Sequence, residues 1–546
     1  MPTVTPIDPL DGPKLALAGR IAVMNEAFTV IPRGVLYIDK GSIVAVQAAG
    51  APAPPGFASV PVVDTRGTLF PGFIELHNHL AYNALSLWNV PKRYGNRDQW
   101  SGTDEYRKLI SGPMRVLGKT PELLPALIRY VEGKCLLGGV TTSQGIQLYS
   151  NQGIRRFYRG IVRNVEQSDE ASLPEAATRV DDIEARDAKL FLARLMKQTC
   201  FLLHLSEGVD VSARRHFLAL QISGDEWAIS TQLAGIHSTG LTAADFDVMA
   251  ARRGAMIWSP LSNLLLYGGT SKIAAAKAAG VRMGIGSDWS PSGSKNLLGE
   301  LKVARLVSQA QGGVFSDREI VSMATRQAAA VLQWDKVLGT LETGKRADLL
   351  VIEGKSGDPY AALLQAKETA IRLVMINGVA RYGMPSLMEH LGAAGESIRI
   401  GGRTRMVFLR QATADPLMAT TPLGEARDTL KDAFRRMPEL ARKLEQPPPA
   451  APRLALGRPA APVWALALDE IEDTGVDLRP RLPLPGRAAF TGASRAAARA
   501  AAPLSTILEP MDLDPLTVAD DGKFLERIAA QRNLPAFLPG ELGNLY

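Results

Sequence analysis

Short apolar runs alternate with helical patterns through the middle of this chain, and several of the runs stop at a residue able to bind a metal or a proton. Runs at 160–165, 200–205, 233–237, 256–259 and 281–286 read as buried strands, with helical patterns such as 242–253 and 271–279 between them. A mostly helical pattern is expected over 173–198, with a short or degenerate strand at about 177–183. A strand-helix series of this kind predicts a parallel sheet with helices on its faces. In an α/β barrel the residues just past the strand C-termini form the active site.

The run from Thr68 to Leu76, interrupted only by Pro71-Gly72, predicts one more buried strand, and it delivers His77 and His79. Positions i and i+2 share a face of a strand, so both imidazoles can aim at one point, as a divalent metal requires. His204 lies in the 200–205 run with Glu207 three residues on, His237 ends the 233–237 run, and Asp288 follows the 281–286 run. Four of the six histidines therefore sit at strand ends. His216 and His390 read as surface or helix residues.

Composition narrows the function classes. At 546 residues the chain exceeds one small domain, and 46% apolar residues supply a large core. The net charge of +7 comes from scattered arginines without a basic tract, which argues against nucleic-acid binding. Cys135 and Cys200 lack metal-type spacing and fit a reducing compartment. No leader-like start and no long apolar run is apparent, so a cytoplasmic protein without membrane contact is expected. No Gly-x-Gly-x-x-Gly follows a strand and there is no P-loop, which removes nucleotide-cofactor readings.

Flanking the series, short β runs occupy 15–23, 35–38, 42–46 and 60–63, and again 339–353 and 371–382. Segment 80–118 is long, irregular and aromatic, and reads as a lid or pocket wall. Its Trp and Tyr residues, with Trp258 and Trp289, suggest a flat or apolar substrate, or simply packing. Thr120-Pro121 opens a helix that Gly138-Gly139 closes, and Ser316-Asp-Arg-Glu319 is a capping box opening a helix to about residue 334. Beyond 395 a helix over 423–444 breaks at Pro438, another is expected at 521–532, and 446–462 and 481–503 read as linkers or surface wraps.

As an ordered set, these motifs resemble the amidohydrolase superfamily, in particular its atrazine/triazine hydrolase and cytosine-deaminase-like branch. The set begins with Pro-Gly-Phe-Ile-Glu-Leu-His77-Asn-His79, Gly-Gly-Val-Thr-Thr at 138–142, His204-Leu-Ser-Glu207-Gly and His237. Ser259-Pro-Leu-Ser-Asn263, Gly-Ile-Gly-Ser-Asp288, Gly339-Thr-Leu-Glu-Thr-Gly-Lys-Arg-Ala-Asp348 and Val-Met-Ile-Asn-Gly378 complete it. The resemblance covers about residues 15–385. It implies a distorted (β/α)8 TIM barrel at 69–335, a small β-sandwich built from 1–68 and 336–390, and a C-terminal extension at 391–546.

It also implies a metal-dependent amidohydrolase that uses a metal-activated water on a non-peptide C–N bond (amide, cyclic amide or urea-like) of a small molecule. Deamination of an amino-heterocycle is the alternative, and a catalytically silent interaction protein on the same fold is the alternative of another class. His77, His79, His204 and Asp288 are the implied ligands of one divalent metal, zinc first, with Fe(II) or Mn(II) as alternatives. Asp288 would also take the water proton, Glu207 would be the general acid or proton shuttle, and His237 would hydrogen-bond the attacking hydroxide or the oxyanion, or reach the metal. Binuclear relatives carry a carbamylated lysine after strand four, whereas Lys189 and Lys197 fall in a helical pattern, which favours a single metal. The base-contacting histidine that purine deaminases place after strand four is absent, which tilts the reading towards amide or ring hydrolysis. A homo-oligomer is compatible with all of this.

Overall fold

A computed structural model describes residues 10–179, 187–418, 420–446, 462–468 and 502–546. Two parallel sheets carry the centre of the chain. In one, Phe73–Glu75, Val140–Ser143 and Arg163–Asn164 pair in that order. In the other, Ala176–Arg179, Cys200–Leu205, Leu233–His237, Ala255–Trp258 and Arg282–Ile285 do the same. The sheets meet at two places. The Ala176 N–H donates to the Val165 carbonyl (2.8 Å), and beyond the strand ends Asp288 and His79 donate N–H groups to the His77 (2.9 Å) and Asp288 (2.8 Å) carbonyls. These strands are buried on both faces, as parallel sheets covered by helices are.

The flanks join in one nine-stranded sheet, in the order Glu396–Ile400, Arg403–Val407, Val379–Gly383, Ile371–Ile376, Leu349–Glu353, Val62–Pro71, Leu15–Ala22, Val30–Asp39 and Ser42–Ala48. Antiparallel pairing of Leu349–Glu353 with Val62–Pro71 stitches the two flanks together. The expected single strand over 68–76 is therefore two: Val62–Pro71 belongs to the flanking sheet and Phe73–Glu75 to a central one. The break falls at Gly72, where a Cβ would lie 2.3 Å from the Thr141 side chain, so the chain changes sheets where only glycine fits.

Other expectations shift in detail. The mostly helical reading of 173–198 is corrected: Ala176–Arg179 is a strand and the helix is confined to Ala188–Leu195. Parallel pairing to Cys200–Leu205 overrides the local helical pattern there, and the rest of the strand expected at 177–183 lies outside the described residues. The 160–165 run pairs only over Arg163–Asn164. The Ser316 capping box forms, but its helix is split into Asp317–Met323 and Arg326–Val331. Thr120 precedes its helix as expected, yet its hydroxyl donates to the Val116 carbonyl (2.7 Å) rather than capping.

The C-terminal residues pack on the central sheets' helices. Leu423–Arg435 buries Leu423, Ala426, Leu430, Ala433 and Phe434, one helical stripe, in the same apolar core as Leu124–Leu137. A second helix, Met437–Glu445, starts at the predicted break, with Pro438 in its first turn. The linker readings at 446–462 and 481–503 fall almost wholly outside the described residues. Among the described residues no helix is long and apolar enough to cross a membrane.

Candidate metal centre

All six predicted site residues converge at the C-terminal ends of the parallel strands. His77 and His79 follow Phe73–Glu75, His204 and Glu207 end and follow Cys200–Leu205, His237 closes Leu233–His237, and Asp288 follows Arg282–Ile285. The two loops that carry His77, His79 and Asp288 are tied together by a parallel bridge between Asn78 and Asp288. Gly286 permits that approach, since a Cβ there would stand 2.4 Å from the His77 Cβ. His237 and Asp288 (both φ 65°) and Ser206 (φ 51°) are non-glycine residues in left-handed backbone, a strain of about 1–3 kcal/mol each that clusters at this one place.

The donor atoms face inward. His77 Nε2 lies 3.1 Å and His79 Nε2 3.4 Å from Asp288 Oδ1, and His204 Nε2 lies 3.3 Å from His79 Nε2. Among the described residues, His77, His79 and Asp288 form one group able to hold a metal ion, and His77, His204 and His237 form a second that shares His77. Burial pushes the imidazole of His204 well below its usual range, so it is neutral, the form that ligates a metal. Asp288 is held far below the usual carboxylate range by His77 and other imidazoles despite its burial, and is therefore an anion.

The tautomer of His77 can be read from its neighbours. The Asn78 backbone N–H donates to Gln144 Oε1 (2.8 Å), which fixes the orientation of that amide. The same oxygen lies 3.3 Å from His77 Nδ1, so Nδ1 carries the proton. Nε2 is then an unprotonated acceptor, buried and without a hydrogen-bond donor. An orphaned imidazole nitrogen beside an ionised carboxylate and two more imidazoles is the donor set of a divalent cation, and the residues fit one.

His237 has the opposite tautomer. Trp258 Nε1–H donates to Thr270 Oγ1 (2.8 Å), whose hydroxyl donates to Asn263 Oδ1 (3.3 Å). This points Asn263 Nδ2 at His237 Nδ1 (2.9 Å), which must accept, leaving the proton on Nε2. That N–H faces Glu207 Oε2 (3.7 Å) and Asp288 Oδ2 (4.0 Å). Burial lowers the His237 pKa to about 4, so the ring is a neutral hydrogen-bond donor. Glu207 is oriented in turn by Tyr267, whose hydroxyl donates to Oε1 (2.7 Å) and accepts from Trp100 Nε1 (2.9 Å). Arg97, partly exposed, lies 3.6 Å from Glu207 Oε2.

Lys189 and Lys197 fall on and just beyond the Ala188–Leu195 helix, with exposed side chains. The aromatic residues of 82–106 form a buried ring cluster with Trp289, which itself lies 5.4 Å from the His79 ring, so they wall the site. Sequence reasoning missed Gln144, Tyr267 and Arg97 and gave Asn263 no role. Gln144 carried a usable signal, because it follows the strand Val140–Ser143 as the histidines follow theirs. Tyr267 and Arg97 lie in a helix and a connecting segment whose approach to Glu207 is purely tertiary.

Residues 221–381 match the model of the amidohydrolase family. A 5-methylthioadenosine/S-adenosylhomocysteine deaminase of Desulforudis audaxviator is 36% identical over 119 residues, 21% of this chain and 28% of that protein. This chain thus spans under a third of the length of that curated relative. The Moorella thermoacetica deaminase of the same name is 23% identical over 393 residues, 64% of this chain and 90% of its own. Among solved structures, an atrazine chlorohydrolase from Arthrobacter aurescens TC1 complexed with zinc superposes with a TM-score of 0.52 at 21% identity, over 67% of this chain and 94% of that one. The family match over residues 221–381 agrees with the ordered motifs, and the solved structure shows a similar fold.

Proposed function

We propose that the protein is a metal-dependent hydrolase that uses a metal-activated water to cleave a non-peptide C–N bond, amide, cyclic amide or urea-like, in a small molecule. The observation that supports this reading is a pair of donor groups that share His77, one with His79 and Asp288 and one with His204 and His237, with Glu207 beside His237. One divalent metal, zinc by the chemistry of three imidazoles and a carboxylate, would be held by His77, His79, His204 and Asp288. When bound, it supplies Lewis acidity and lowers the pKa of a coordinated water toward neutrality.

The chain's own residues do the rest. Asp288 Oδ1 faces the His77 and His79 nitrogens, which leaves Oδ2 to accept the proton of the attacking water. His237 Nε2–H, locked by Asn263, donates to the oxygen that gains charge on the substrate carbon. Glu207, held by Tyr267, carries a proton to the leaving nitrogen. The buried aromatic wall and the partly exposed Arg97 bound the space in which the substrate sits.

The eight parallel strands are read as a distorted (β/α)8 barrel over 69–335. The nine-stranded sheet is read as the small β-sandwich of 1–68 and 336–390, because Leu15, Leu17 and Leu36 of one flank share an apolar cluster with Leu373 and Met375 of the other. Residues 391–546 form the extension, although the hairpin Glu396–Ile400 and Arg403–Val407 continues that sheet. Two buried free cysteines support a reducing, cytoplasmic setting.

Deamination of an amino-heterocycle is the second reading, favoured by relatives named as deaminases. The absence of any histidine between 79 and 204 supports ring or amide hydrolysis instead. A silent interaction protein would be expected to show gaps in the donor set, and the sequence carries a residue at every one of those positions. Mass spectrometry of products from zinc-loaded protein and a mixed library of amides, lactams, ureas and amino-heterocycles separates the readings. Water addition or cleavage supports the first reading, and exchange of amino for oxo supports the second. Asp288→Asn is expected to abolish turnover and Glu207→Gln to cut it with metal retained; full activity in either purified variant overturns the assigned roles.

A further inference from the structure

The C-terminal residues 502–546 reach the two loops that carry the proposed metal ligands. Asp514, 1% exposed, receives Lys134 Nζ on one carboxylate oxygen and Lys295 Nζ on the other (2.6 Å to Oδ1). Lys134 is fully used: its ammonium also donates to the Asn83 carbonyl and to Ser290 Oγ, both at 2.8 Å. Asn83 lies four residues past His79 and Ser290 two past Asp288. Asn83 ties the loops further, donating from Nδ2 to Asn78 Oδ1 (2.8 Å) and accepting from the Ser290 N–H (2.8 Å). Asn78 itself sits between His77 and His79 and bridges to Asp288.

The same segment is anchored at several further points. The Asp514 N–H donates to the Ala84 carbonyl (3.0 Å), and Tyr130 OH donates to the Asp514 carbonyl (2.6 Å). Gln531 Nε2 donates to the Trp88 carbonyl (2.9 Å), and Asn533 Nδ2 to the carbonyls of Lys92 (3.0 Å) and Leu265 (2.7 Å). Lys295 also pairs with Asp521 Oδ2 at 2.8 Å. Lys134 is held in the core by that carboxylate and is costly to leave without it, whereas Lys295 also keeps Asp521.

We infer that Asp514 is a positioning residue for the metal-ligand loops: through Lys134 it fixes Asn83 and Ser290, and so the relative placement of His77, His79 and Asp288. The extension thereby becomes part of the site rather than an appended arm. Outer hydrogen-bond partners of metal ligands affect metal affinity by about 10- to 100-fold, which sets the scale expected for a change in ligand placement. This inference rests on the metal reading above, and its test reads metal binding, not turnover.

The full chain is purified as wild type, Asp514→Asn, Ser290→Ala and Asp415→Asn. Asp415 is a matched control, a buried carboxylate paired with Arg156 and making none of these contacts. Zinc dissociation constants are taken by competition with a chromophoric chelator, and melting temperatures are taken on the metal-free proteins. Asp514→Asn and Ser290→Ala are expected to weaken zinc binding by about tenfold or more, and Asp415→Asn to lower the melting temperature while leaving zinc affinity unchanged. If Asp514→Asn does not fold, Ser290→Ala decides alone. Wild-type affinity in both loop variants, or equal weakening in the control, overturns the positioning role alone. A wild-type protein that binds no divalent metal overturns the metal reading with it.

Discussion

Replacing Gln144 with leucine probes how far the donor set depends on residues outside it. Gln144 Oε1 accepts from two buried donors, the Asn78 backbone N–H (2.8 Å) and His77 Nδ1–H (3.3 Å). Leucine keeps most of the volume and removes both acceptors. An unsatisfied buried donor costs about 1–3 kcal/mol, so the metal-free protein should lose roughly 2–6 kcal/mol in denaturant unfolding. The larger consequence is chemical: without that acceptor the proton of His77 can move to Nε2, the nitrogen that faces Asp288, and that tautomer cannot ligate. Loss of such a partner lowers metal affinity by about 10- to 100-fold, equivalent to about 1.4–2.7 kcal/mol. Zinc competition against a chromophoric chelator measures this directly. Gln144→Glu, which restores an acceptor to Nδ1, should recover affinity even where burial of its charge lowers stability. Zinc binding in Gln144→Leu within about twofold of wild type would refute the tautomer argument for His77.

Asn263→Leu removes the donor that locks His237, and should cut turnover at least about tenfold while leaving zinc affinity intact; a parallel loss of affinity would mean His237 reaches the metal instead. Burial raises the Glu300 pKa to about 8, so folding stability should fall as pH rises from the unfolded carboxylate value through that point. Over that window the loss is on the order of 5 kcal/mol. Glu300→Gln keeps an acceptor for the Leu261 N–H and should unfold later than wild type above pH 8, with the difference gone in mild acid; the same pH slope in both proteins would refute it. Zinc at about a thousandfold over its dissociation constant should stabilise the native protein by about 4 kcal/mol against denaturant, and a chelator should reverse this; an unfolding curve indifferent to both would argue against a bound metal.

Much of this site was legible in the linear sequence because its chemistry sits at positions that pattern alone predicts. Strands of hydrophobic periodicity end where His77, His79, His204, His237 and Asp288 stand, and a parallel sheet gathers strand ends on one side. The ordered motifs then assigned roles that spacing could not. Where local and tertiary preferences conflicted, the sequence was ambiguous: 173–198 reads as mostly helical with a degenerate strand at about 177–183, and Ala176–Arg179 is a strand because Cys200–Leu205 offers it a partner. The strand expected to run unbroken to Leu76 is cut at Gly72 because two sheets compete for it and Thr141 leaves no room for a side chain.

Tertiary structure alone decided what the histidines can do. Which nitrogen of His77 or His237 carries the proton depends on Gln144 and Asn263, 67 and 26 residues away, and no periodicity encodes such pairings. The same holds for Asp514, which lies 380 residues from Lys134 in a region without a recognisable motif. Hydrophobic pattern is local and survives in one dimension. The pairing of buried donors with buried acceptors is settled only when the chain closes on itself, and it is there that ligand geometry and protonation are set.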